Sequence, residues 1–235
     1  MAWRHILPLA GLVTTLLPPT WANNSLLPSP PLPIASQQVS LEFPAGPRRS
    51  APRSTAGGGI RGNLHPCTVK NETPFTALHP PDQLSTTMLG NPTLFVYVPP
   101  TIATAAQFTL TSPVGDKVYE TAVTLPSQSG VMRLPLPDTI ALATATPYRW
   151  RLVMLCGGEE EIVRGQILRV ELGPEAKSAI AVAQGLQKAE LYAQSEVWLD
   201  TLMTLAADYP QHRAAWRELL ISVGLGAIAD QPLLD

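Results

Sequence analysis

The chain has 235 residues, 25 of them proline, with 14% charged side chains and a formal net charge of -2. That length suits one or two domains, and the near-neutral balance excludes a global electrostatic pull toward nucleic acid or an anionic membrane. An aromatic content of 6%, with no stripe of exposed rings, also argues against a base-stacking platform.

The amino terminus carries the three parts of an export signal in order. Arg4 and His5 form a short polar start, and an apolar stretch runs from Ile6 to Leu17. Pro18 and Pro19 break it, and Thr20-Trp21-Ala22 offers small residues where a signal peptidase reads. The expected cut lies between Ala22 and Asn23, making residues 1–22 the signal peptide. Its apolar core falls short of the roughly 18 residues of a permanent span, and no later run reaches that length. The residue directly after the cut is Asn23 and not a cysteine, so a lipoprotein anchor is not expected. The mature protein is expected to be exported to the periplasm or the extracellular space, with no transmembrane segment.

Residues 23–81 are rich in proline and glycine and poor in large apolar side chains, a composition that buries too little surface to offset its ordering entropy. They read as a disordered arm, stiffened at Ser29-Pro30-Pro31-Leu32-Pro33 by polyproline II. Arg48, Arg49, Arg53 and Arg61 surround Gly57-Gly58-Gly59 without an intervening acid. This basic patch is a candidate polyanion contact, set against the plainer reading of a solvated linker. The glycines lack the lysine, strand and helix of a phosphate loop.

Over residues 82–172 the pattern becomes that of strands, predicted at Thr93–Val98, Gln107–Ser112, Lys117–Leu125, Gly130–Leu134, Tyr148–Cys156 and Glu161–Glu171. Turn residues separate them, with Gly157-Gly158 joining the last two. Short strands at this spacing predict an antiparallel β-sandwich of immunoglobulin/fibronectin type. Tyr148-Arg149-Trp150 enters its strand in the manner of a tyrosine corner. Period-2 alternation puts Tyr148, Trp150, Leu152 and Met154 on one face and Arg149, Arg151 and Val153 on the other. Trp150 is read as core in preference to a ligand-stacking platform.

Residues 173–235 read as three helices packed on the sandwich. The first begins at Pro174 and presents Ala179, Val182, Ala183, Leu186 and Ala189 on one side. Ser195 is the predicted cap of the second, which buries Trp198, Leu202, Leu205 and Tyr209, turns Asp200 and Asp208 outward, and ends at Pro210. The third, from about His212 to Val223, buries Trp216, Leu219 and Leu220, and is closed by Gly224 or Gly226.

Cys67 and Cys156 are the only cysteines, and in an oxidising compartment a lone pair reads as one disulfide. Separate metal-binding or redox thiols need nearby ligands or a Cys-x-x-Cys spacing, and neither is present. His65, His79 and His212 lie in different segments with no second ligand at metal spacing, so no metal and no cofactor is expected. Glu159-Glu160-Glu161 lacks the interleaved pattern of a calcium loop and reads as a solvated hairpin turn. No hydrolase, zinc-protease, nucleotide or dinucleotide motif occurs. The expectation is a non-enzyme; a dispersed hydrolase site remains the alternative, since triads are recognised by geometry.

Arg61-Gly62, Thr76-Ala77-Leu78, Pro92 through Pro99, Leu134-Pro135-Leu136-Pro137, Tyr148-Arg149-Trp150, Val163-Arg164-Gly165, Trp198 through Leu202, and Trp216 through Leu225 follow one another in an order that resembles an exported cyanobacterial family, the domain of unknown function 928 (DUF928). The likeness spans about residues 60–234. The chain departs from the family pattern at Leu152 and at Gly157-Gly158-Glu159, where an aromatic residue and an acidic, serine-containing turn are usual. The resemblance implies origin, export and architecture and no reaction. The functional expectation is a non-catalytic envelope protein acting as a protein–protein interaction module, partnered by another envelope or exported protein. The alternative is binding of anionic wall polymer or extracellular glycan; no nucleic-acid partner is expected, and the oligomeric state is left open.

Overall fold

The computed structural model describes residues 41–44, 67–68, 72–81, 83–156 and 159–234. The expected leader with Ala22 and Asn23, and the arginines Arg48, Arg49, Arg53 and Arg61, lie outside the described residues.

The described strands form two sheets. β1 (Thr76–Ala77), β3 (Thr93–Val98) and β6 (Gly130–Pro135) make an antiparallel three-stranded sheet in the order β1-β3-β6. β2 (Ser85–Thr87), β4 (Ala105–Thr111), β5 (Lys117–Thr124), β7 (Pro147–Cys156) and β8 (Glu159–Arg169) make a five-stranded sheet in the order β2-β8-β7-β4-β5. The predicted strands correspond to β3 through β8. Only β1 and β2 escaped notice, being too short to show a period. The wholly antiparallel expectation is corrected at β2, which pairs with β8 in parallel through Ser85↔Ile167 and Thr87↔Arg169.

The arm expectation is corrected as well, because described residues within 23–81 belong to the fold. Leu41, Phe43, Cys67, Phe75 and Leu78 are buried in the common core, and Phe43 sets its ring edge-on to Trp198 at 5.0 Å. The Leu41 and Phe43 amides donate to Glu218 Oε2 at 3.2 Å and Ser222 Oγ at 3.1 Å. A proline-rich average conceals a few large apolar residues, and those are the ones that find the core.

Four helices replace the predicted three: α1 (Pro174–Val182), α2 (Gly185–Gln194), α3 (Trp198–Ala207) and α4 (Tyr209–Ser222), followed by a 3-10 turn at Gly226–Ile228. The first predicted helix breaks at Ala183 and Gln184, both extended, and restarts at Gly185 with φ 51°, a left-handed value that glycine adopts without steric cost. Val182, predicted to be buried, is therefore 82% exposed at the end of α1. Pro210 opens α4 rather than merely closing the helix before it.

Ser195 does not cap α3 but sits at the C-terminal end of α2. A distant residue does the capping instead: the Trp198 amide donates to Thr86 Oγ1 at 3.1 Å, and that hydroxyl donates to the Glu196 carbonyl. Asp200 is likewise turned inward, against expectation, because β2 supplies donors. Its Oδ2 accepts from Thr87 Oγ1 at 2.7 Å and from the Met88 amide at 3.2 Å. Burial raises the Asp200 pKa, opposed by the Thr87 and Met88 hydrogen bonds and by Lys188. A carboxyl whose folded pKa is raised contributes stability that is present below its unfolded pKa and lost as pH rises through the folded one. Asp200→Asn keeps an acceptor oxygen and no longer ionises. Its unfolding free energy relative to wild type is therefore expected to increase as pH rises from about 4 to about 8, read by urea titration.

β3 is buried on both sides, which is why Leu94-Phe95-Val96-Tyr97-Val98 reads as a continuous apolar run. Phe95 meets Trp216 of α4 at 5.7 Å, and Trp198 donates its indole N–H to the Leu78 carbonyl at 2.9 Å. Each of these fully buried tryptophans contributes on the order of 4–6 kcal/mol of apolar burial before entropy is deducted. The second face of the five-stranded sheet carries exposed polar residues, among them Arg149, Arg151 and Arg164.

Candidate anion-binding face

β7 alternates as expected. Trp150, Leu152, Met154 and Cys156 join the buried cluster, while Arg149, Arg151 and Leu155 are exposed. Val153, on the arginine face, is buried but stands outside that cluster. At 4% exposure Trp150 is core, with Phe108 at 6.3 Å between ring centres.

Pairing across the sheet assembles the arginine face from four strands. Arg151 lies opposite Thr109 of β4 on one side and Arg164 of β8 on the other, and Thr109 in turn faces Glu120 of β5. The adjacent row runs Thr111, Arg149, Gln166. Arg149 and Arg151 stand about 7 Å apart along the strand, and Arg164 is about 4.8 Å away across it, as strand rise and spacing dictate for the backbones. Between the rows opens a cleft of about 410 Å³ whose charged lining residues are Arg149, Arg151 and Arg164.

These guanidinium groups have few internal partners. Arg149 Nη2 donates to the Pro113 carbonyl at 3.0 Å. Glu120, the nearest carboxylate row-mate, is engaged by Lys117; the Lys117 hydrogen bond is the main cause that lowers its pKa, against a smaller opposing effect of burial, with weaker help from Gln107 and Arg151. Among the described residues, neither Arg151 nor Arg164 forms an ion pair within 4.0 Å. Thr109 lines the cleft too, and its hydroxyl is shielded from solvent and has no hydrogen-bond partner among the described residues. Arginine forks and hydroxyls that face one opening are the donor set that binds oxyanions.

The remaining candidates are dispersed. Cys67 and Cys156 are joined in a disulfide, with Cα atoms 5.1 Å apart and a sequence separation of 89. His79 is buried, its Nδ1 3.0 Å from the Pro80 carbonyl; burial lowers its pKa, and the Pro80 and Arg164 carbonyls oppose that. His212 is half-buried beside Gly185, and His65 lies outside the described residues. Glu159, Glu160 and Glu161 open β8 rather than forming a turn, and Glu161 accepts from Thr68 Oγ1 at 2.8 Å. No group of three potential metal ligands occurs among the described residues, nor any helix long and apolar enough to cross a membrane.

The sequence reading placed Arg149 and Arg151 together but overlooked Arg164 and Thr109. A signal for Arg164 was present: with Cys156 opposite Glu159, counting back five residues on each strand brings Arg151 to Arg164. No comparable signal existed for Thr109, because β4 and β7 are neighbours only after the sheet assembles.

Among the described residues, two sheets and four helices carry a cleft lined by three arginines on the five-stranded sheet. The chain belongs to the family described as Domain of Unknown Function (DUF928), whose model matches residues 56–233. No curated protein matches the sequence. Among solved structures, the chain is similar to the fn3 domain of human collagen alpha-1(XX) chain, with 16% identity over 49% of this chain and 91% of that one, at a TM-score of 0.27. It is also similar to Bacteroides uniformis beta-glucuronidase 3, with 12% identity over 42% of this chain and a TM-score of 0.25; the match spans only 12% of the glucuronidase. Superpositions this loose carry no argument about fold or activity.

Proposed function

We propose that this protein is an exported, non-catalytic binding module of the cell envelope that holds an anionic wall polymer or extracellular glycan on its arginine face. The observation that carries the reading is the cleft in which Arg149, Arg151 and Arg164 converge with no carboxylate in its lining. Its polar side chains are arginines, threonines and a glutamine, chemistry suited to holding anions. Export to the periplasm or extracellular space is supported by the leader-like residues 1–22 and by the disulfide, a bond that persists in oxidising compartments. The family likeness supports a cyanobacterial origin. We read the two sheets as an immunoglobulin/fibronectin-type sandwich, supported by the Tyr148 hydroxyl, which accepts the Ala143 amide at 3.3 Å as a tyrosine corner does.

The test is sedimentation of the mature protein with purified envelope polymer at low and high salt. Binding is expected to weaken with salt. It is expected to fall about tenfold to a hundredfold in Arg151→Gln/Arg164→Gln, while replacement of Arg48, Arg49, Arg53 and Arg61 has the smaller effect. Loss of binding only with the second set transfers the function to the arm and removes the cleft reading.

A second reading, a protein–protein interaction module, is favoured by β5, which among the described strands is hydrogen-bonded only to β4 and is exposed along alternate residues. Such an edge accepts an added strand. Crosslinking of a partner through Lys117 supports it, and an unreacted Lys117 in envelope extracts opposes it.

A further inference from the structure

We propose that the group recognised in the cleft is a tetrahedral oxyanion, a sulfate or phosphate ester, and not a carboxylate. The inference rests on the anionic-polymer reading above and narrows its chemistry. Three donors approach one opening from different strands: Arg151 on β7, Arg164 on β8 and the Thr109 hydroxyl on β4. A carboxylate is planar: its two oxygens offer about four acceptor sites, all in one plane, and a guanidinium fork takes two of them. The sites that remain lie in that same plane, so a second arginine and a hydroxyl arriving from other strands meet them with poor geometry. A sulfate or phosphate monoester directs three terminal oxygens out of any single plane, one toward each donor.

Two features of the unliganded face agree with this. Arg151 and Arg164 sit directly across from each other, an arrangement of like charges that destabilises a sheet. An anion seated between them reverses the sign of that interaction. Thr109, 4% exposed, buries a hydroxyl that has no partner, a desolvation cost with no structural return. An ester oxygen seated in the cleft supplies the missing acceptor. Both features make the apo face less stable than an apolar or uncharged one, and ligand binding offsets both.

The experiment uses the full mature chain and three dextrans of matched charge density, carrying sulfate, phosphate or carboxymethyl groups, with affinities from titration calorimetry. The sulfate or the phosphate polymer is expected to bind about tenfold more tightly than the carboxymethyl polymer. Whichever of the two is tighter assigns the source as a sulfated glycan or a phosphate-bearing wall polymer. Thr109→Val is expected to erase the preference while leaving the melting temperature unchanged or higher, and Thr109→Ser to restore the preference. Equal binding of all three dextrans overturns the oxyanion inference and leaves the polymer reading standing. Binding of none removes both. A Thr109→Val variant that keeps the preference overturns the role of the hydroxyl.

Discussion

Replacing Cys67 and Cys156 together by alanine is expected to lower the unfolding free energy by about 2–5 kcal/mol. The bridge spans 89 residues of sequence, and in the chain-entropy model a loop of that size restricts the unfolded chain by about 4–5 kcal/mol. The Cα atoms lie 5.1 Å apart, within the usual range for a disulfide. Other contacts hold the same segment: Thr101 Oγ1 donates to the Cys67 carbonyl at 2.5 Å, and Thr68 forms an isolated bridge with Thr101. The segment is therefore expected to stay docked in the variant, and the loss to appear in the unfolding midpoint rather than in the native spectrum. Urea titration of oxidised, reduced and doubly substituted protein reads this directly. Equal midpoints in all three would show that the bridge does not constrain the unfolded chain. Alanine is the replacement of choice because both sulfurs are buried, and a serine hydroxyl there would add an unsatisfied polar group.

Gly165→Val is expected to destabilise the protein by about 1–3 kcal/mol, and the melting temperature by roughly 2–12 °C. A Cβ at position 165 would stand 2.7 Å from Trp150 Nε1, 2.8 Å from Cε2 and 2.9 Å from Cζ2. Gly165 and Trp150 are cross-strand partners, so the indole lies over the space that a side chain would fill. That ring cannot retreat easily, being 4% exposed and packed beside Phe108. A glycine within a strand costs entropy and is retained here because an aromatic neighbour covers it. The double variant Gly165→Val/Trp150→Leu is expected to recover part of the loss, giving a coupling energy that neither substitution explains alone. Additive effects in that cycle would mean that the ring does not set the size limit at 165.

Polymer binding gives an independent check on the cysteine variant. Neither cysteine lines the cleft, so a doubly substituted protein that still folds at the assay temperature should bind like wild type. The arginine substitutions should do the opposite, sparing stability and removing affinity. Relief of the Arg151–Arg164 repulsion is even expected to stabilise the sheet slightly, by about 0.2–1 kcal/mol. A binding face maintained at a small cost to stability is the pattern expected where function, not packing, dictates the residues.

Local chemistry was enough to determine part of this protein. A run of β-branched and aromatic residues marked Thr93–Val98 as a strand, and alternation over Tyr148–Cys156 marked another and sorted Trp150 from Arg149 and Arg151, because successive strand side chains point to opposite faces whatever the neighbours are. The two cysteines could pair only with each other, and proline at position 174 and glycine at 224 marked a helix start and a helix end. These signals act within a few residues and survive without knowledge of the fold. The inward turn of Asp200, the capping of α3 by Thr86, the parallel seat of β2 and the core positions of Leu41 and Phe43 were decided only by tertiary structure. Each depends on a partner more than 100 residues away, or on a strand too short to show a period. The candidate site divides in the same way. One strand's period placed two arginines side by side, whereas the meeting of Thr109, Arg151 and Arg164 required β4, β7 and β8 to lie next to one another, an order set by long-range burial of the opposite face.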